Sequence, residues 1–85
     1  FFFFFADQGH RVAQYYLGES YNNGSGVALN FYQAAKWFKL SAEQGYSSAL
    51  HVLATYYLHG RGGLPQDDRE AARLFKLSEE AKQKE

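Results

Sequence analysis

The sequence predicts an all-α fold, an α/α superhelical solenoid of antiparallel helix pairs. Three observations carry that expectation. The string ADQG at 6–9 returns as AEQG at 42–45, and in the same 36-residue frame Ala13 falls on Ala49, Leu17 on Leu53, Tyr21 on Tyr57, Gly24 on Gly60 and Gly26 on Gly62. Self-similarity at such a period marks stacked supersecondary units that share one core. Small and apolar residues also recur at three- and four-residue spacing, the period of a helix and not of a strand. Finally, AAKWFKLS at 34–41 returns as AARLFKLS at 71–78 with the offset enlarged to 37, so the one inserted residue belongs to a loop, around GGLPQDD.

In chain order, the first element is the run Phe1 to Phe5. In the repeat frame it aligns with 37–41, which makes 1–9 the C-terminal end of a preceding repeat, closed by Ala6 to Gly9. Five residues fall far short of the roughly 20 that a spanning helix needs, and the run lacks the basic flank of a secretory signal. No membrane insertion is expected from it. Phe3 and Phe5 stand where the later copy has Lys39 and Ser41, and phenylalanine all around a helix end needs burial on every side. Three explanations stand side by side: a run that is engineered or an assignment anomaly, an end buried by further repeats or a partner, and a natural exposed end.

The first complete unit spans 10–45 and the second 46–81. Each begins with a helix, about 10–23 and about 46–59, whose buried stripe is Ala13, Leu17, Tyr21 and then Ala49, Leu53, Tyr57. Gly24 and Gly60 follow the last periodic residue, where a left-handed cap ends a helix. A second helix starts behind Asn30 and again behind Asp67, with Gln33 and Glu70 three residues on, the spacing of a capping box. Its apolar face is Phe31, Ala34, Trp37 or Phe38, and Ala42 in the first unit, then Ala71, Leu74 or Phe75, and Ser78 in the second. The tail 82–85 has no apolar partner and is expected to fray.

The string from Ala13 through Leu17-Gly18, Tyr21, Gly24, Gly26-Val27, Asn30, Ala34, Trp37-Phe38 and Ala42 to Gly45 resembles the Sel1-like repeat, a relative of the tetratricopeptide repeat with a slightly longer unit. The likeness covers about residues 6–81, with Asn30 where the family has aspartate and Ala54 where it has glycine. It implies a right-handed solenoid that acts as an adaptor assembling other proteins, with no catalytic residues. The subgroup that staples each repeat with a disulfide is excluded, because the chain has no cysteine.

Composition narrows the function further. Nine basic and nine acidic residues cancel, so no long-range field favours nucleic acid, and no nucleic-acid partner is expected. The absence of cysteine leaves cytosol, nucleus and periplasm open, so the localisation is undetermined. With no methionine in 85 residues the chain reads as a fragment of a longer one. Two complete repeats are fewer than the three a solenoid generally wants; self-association or further repeats at the N-terminal end are expected to supplement them. No serine is set beside a base and no two carboxylates share a cleft, so no enzyme activity is expected. No cofactor is expected, and His51 and His59, eight residues or about 12 Å apart on one helix, are too far apart to share a metal ion.

What remains is protein recognition. In the tetratricopeptide architecture the first helices line the concave face, and the positions not used for packing point into it. In this sequence those are Val12, Tyr15, Glu19, Asn22 and Asn23, then Ser48, His51, Thr55, Leu58 and His59. Rows of aromatic, imidazole and amide groups offer contact area and backbone hydrogen bonds to a peptide or protein segment. The chain therefore reads as an interaction scaffold; the alternative is a structural spacer within a larger repeat protein, with no ligand groove of its own. A basic ladder of Lys36 with Arg73 and Lys39 with Lys76 reads as a solvated helix face.

Overall fold

The computed structural model describes residues 2–85, and Phe1 of the phenylalanine run lies outside them. The described residues form five helices and no strand: α1 (Phe2–Asp7), α2 (Arg11–Asn23), α3 (Phe31–Glu43), α4 (Ser47–His59) and α5 (Asp68–Lys82). Packing runs in chain order, α1 on α2, α2 on α3, α3 on α4 and α4 on α5. This is the solenoid of helix pairs that the repeat predicts.

Each boundary has a local cause. Gly24 (φ 69°, ψ 35°) and Gly60 (φ 66°, ψ 44°) close α2 and α4 in the left-handed conformation, which costs a residue without Cβ little. At the starts of α3 and α5, Asn30 Oδ1 accepts from the Gln33 N–H at 3.1 Å and Asp67 Oδ1 from the Glu70 N–H at 3.0 Å. Only this half of the capping box forms. The cap residues' own N–H groups donate instead to Tyr21 O and Tyr57 O, both at 2.9 Å, tying the second helix of each pair to the end of the first. Glu70, freed from the box, pairs with Arg73 at 2.7 Å.

The repeat shows in side-chain hydrogen bonds as well. Ser41 Oγ donates to Arg11 O at 2.7 Å, and its counterpart Ser78 Oγ donates to Ser47 O at 2.9 Å. Each bond pins the last turns of a second helix to the start of its own first helix. These two serines are buried, and a buried hydroxyl needs such a partner.

Two linked clusters form the core. One gathers Ala6, Ala13, Leu17 and Trp37; the other centres on Phe38, Leu50, Leu53, Tyr56 and Leu74 with five alanines between them. Alanine here sets the distance between helices, and the larger side chains fill the gaps. Trp37 and Phe38 are both buried, so the face of α3 is wider than an either-or reading of the two allows. The Trp37 indole N–H is buried without an acceptor. Of the residues near the phenylalanine run, Phe5 packs against the first cluster, while Phe3 and Phe4 are exposed.

Two residues outside the repeat frame are central to the core. Tyr56 stands where the first repeat has Ser20, yet it is 2% exposed and packs edge-on against Phe38 and Phe31, at 5.6 and 6.2 Å between ring centroids. Gln14, also buried, donates to Ala6 O at 3.2 Å and accepts from Gln44 Nε2 at 2.9 Å, holding the end of α1 in place. The fraying expected of 82–85 took no account of Glu85, whose carboxylate accepts from both the N–H and the hydroxyl of Ser47. It thereby caps α4, whose N-cap residue, Tyr46, offers no side-chain bond. Those two bonds hold the Glu85 carboxyl below its ordinary value.

Candidate protein-binding groove

Three of the residues that the sequence singles out meet in one place. Tyr15 of α2 and Ser48 and His51 of α4 line a shallow groove of about 340 Å³, joined by Val52 and by Ser78, Glu79 and Lys82 of α5. They converge because 36 residues separate equivalent positions: Tyr15 and His51 face the same way from successive first helices. The His51 ring stands edge-on to Phe75, 5.1 Å between centroids. The groove thus has an aromatic floor, three serines (Ser47 and Ser78 already hydrogen-bonded within the molecule, and Ser48) and charges of both signs on its α5 rim.

Tyr15 is a wall of this groove and a packing residue at once. Its ring touches those of Phe38 and Tyr46, at 5.8 and 5.4 Å, so part of it is used where the second repeat seats on the first. Burial, and then the nearby charge of Glu19, push its phenol above the ordinary value of 10.0. Asn22 is engaged inside the molecule, its Oδ1 accepting from the Tyr56 hydroxyl at 2.6 Å and its Nδ2 donating to Asn23 at 3.1 Å. Thr55 turns its hydroxyl back to Val52 O at 2.6 Å. Glu19 is half-buried, and Val12, Asn23, Leu58 and His59 are exposed but do not line this groove. Sequence spacing places all ten residues on first helices; it does not register which of them the next repeat covers.

On the outer helices Lys36, Lys39, Arg73 and Lys76 are all exposed, and two of the four are engaged locally. Lys36 lies over the Trp37 ring, 5.0 Å from its centroid, and Arg73 is held by Glu70. Among the described residues no three histidine, cysteine or acidic side chains are grouped to hold a metal ion, and no helix is long and apolar enough to cross a membrane.

A stack of helix pairs with a glycine-closed first helix and a serine-locked second one defines a protein of the α/α repeat class. The Sel1 repeat family model matches residues 11–46 and again 47–82, and the chain belongs to the Sel1 repeat family. Sel1 repeats generally mediate protein–protein interaction. A 54-residue stretch is 41% identical to human cytochrome c oxidase assembly factor 7 and 37% identical to the mouse protein, 62% of this chain against 23% of each relative. Among solved structures, a Sel1 repeat protein from Oxalobacter formigenes matches with a TM-score of 0.85 and 33% identity, over 89% of this chain and 22% of that one. The protective antigen c5321 of uropathogenic Escherichia coli, which displays the same fold, matches with a TM-score of 0.84 and 37% identity, over 88% and 16%. The chain therefore spans less than a quarter of the length of each of these relatives.

Proposed function

We propose that this chain is a protein-interaction module that takes a peptide or protein segment into the groove between Tyr15, Ser48 and His51. The supporting observation is the convergence of these three side chains, from two successive first helices, with Glu79 and Lys82 across from them. An apolar side chain of the segment packs on Tyr15, Val52 and the His51 ring. Its main-chain amides bond to Ser48 and the rim charges, the usual division between anchoring area and polar register. The human and mouse relatives are named as assembly factors, which supports a role among protein partners here as well.

The test is affinity capture by this chain and by a Ser48→Arg, His51→Glu variant, with equal helicity checked by circular dichroism. The groove reading expects a partner retained by the first and weakened at least about tenfold in the second, a loss of about 1.4 kcal/mol. Equal retention by both would move recognition from the groove to another surface, and retention by neither would leave the spacer reading in its place.

A further inference from the structure

The two core clusters are built on equivalent positions of the repeat frame but are filled differently. Ala6, Ala13, Leu17 and Trp37 form a buried cluster, and the repeat places Ala42, Ala49, Leu53 and Leu74 in the equivalent positions of the other core. In the first, the indole of Trp37 fills the space and the Phe3 ring of α1 stands edge-on to it, 5.9 Å between centroids. In the second, leucine replaces the tryptophan and Lys39 stands where the frame puts Phe3. Two aromatic rings are missing. What opens there is a slot of about 280 Å³ between α3 and α5, with Leu53, Leu74 and Ala42 among its lining residues.

We infer that this slot is a binding site for a single aromatic side chain, tryptophan or phenylalanine, presented by a partner protein. The chain's own first cluster is the template, since Trp37 and Phe3 close the equivalent space there with those two residue types. Size agrees, for the slot lies below the roughly 300–1,000 Å³ of sites for drug-sized ligands. Charge agrees as well. Lys36 rests over the Trp37 ring at 5.0 Å, and its counterpart in the frame, Arg73, lines the slot, where a cation is attracted to an aromatic face. Lys39 and Arg73 are balanced by Glu43 and Glu70 on the same rim, so the site favours a neutral ring over an ion. This surface shares no residue with the Tyr15–His51 groove, lies on the other side of α4, and does not depend on that groove's function.

The test is titration of the ¹⁵N-labelled chain with N-acetyltryptophanamide, followed by amide chemical shifts. The inference expects saturable shifts at Leu53, Leu74, Leu77 and Lys39, and binding several-fold weaker for N-acetylleucinamide. Two substitutions copy the aromatic filling of the first cluster into the slot: Leu74→Trp and Lys39→Phe, each of which fills the slot from within and abolishes the shifts. Lys39 is exposed, so Lys39→Phe keeps the fold and gives the answer even where Leu74→Trp unfolds the chain. His51→Glu leaves the shifts unchanged, which separates this site from the groove. Absence of saturable shifts, equal binding of the leucine amide, shifts that persist in Lys39→Phe, or shifts lost in His51→Glu would each overturn the assignment.

Discussion

A tyrosine exposed over only 2% of its surface must find an acceptor for its hydroxyl, and Tyr56 finds one in Asn22 of the other repeat. Tyr56→Phe keeps the ring packing and removes that bond, for an expected loss of about 1 kcal/mol, or roughly 4–8 °C in Tm for a domain of this size. Burial pushes the Tyr56 phenol from the ordinary 10.0 up to about 12. The folded state therefore keeps a proton that the unfolded chain gives up first. The associated stability is complete below pH 10 and is lost as the pH climbs towards about 12. Thermal melts across that range should fall less steeply in Tyr56→Phe than in the parent. A second residue-scale test is Gly18→Ala, whose Cβ would sit 2.7 Å from two ring carbons of Phe38. Because Phe38 is fully buried, overpacking of about 1–3 kcal/mol outweighs the gain of about 1 kcal/mol in helix propensity. Ala54 occupies the same frame position, and the frame counterpart of Phe38 there, Phe75, is only half-buried. Neither contact is legible in the sequence: Tyr56 aligns with Ser20, and the shared spacing hides that one repeat is covered by the next.

At the scale of the element, the sequence shows most of what forms. Periodicity and glycine stops place four helices to within a residue or two, and the two cap residues form one half of the capping box that their spacing predicts. What it misses is the polar wiring between helices. The Asn30 and Asp67 N–H groups go to Tyr21 and Tyr57 carbonyls, a choice made by tertiary approach and not by local sequence. Asn30→Ala and Asp67→Ala are each expected to cost about 1 kcal/mol, measured by urea unfolding. The tail gives a pH signature of opposite sign to that of Tyr56. Ser47 holds the Glu85 carboxyl below the ordinary 4.5, so its contribution is present above that pH and is lost as acid takes the pH through the depressed value. Ser47→Ala should flatten that part of the acid unfolding curve; an unchanged curve would show that the cap is not populated in solution.

Across the whole molecule, the repeat makes a stability prediction that one isolated helix pair would not. Leu17 and Leu53 are equivalent and equally buried, at 6% exposure, and truncation of either to alanine should cost about 2–5 kcal/mol. Because α3 contributes to both clusters, each variant should lower the melting temperature of the entire chain in one cooperative transition, as followed by calorimetry. Two transitions would mean that the repeats unfold separately.

The groove was half legible for a related reason. Identical spacing assigns Tyr15, Asn22, Ser48 and His51 to first helices, but Asn22 is taken by Tyr56 while Ser48 and His51 stay open, and only the fold distinguishes them. The most direct test of the groove is photo-crosslinking of the captured partner with benzoylphenylalanine installed at position 51 or, as a control on the outer helices, at the exposed position 32. Crosslinks from position 51 and none from position 32 are the predicted result. Crosslinks from position 32 alone, or equal yields from both, would contradict it.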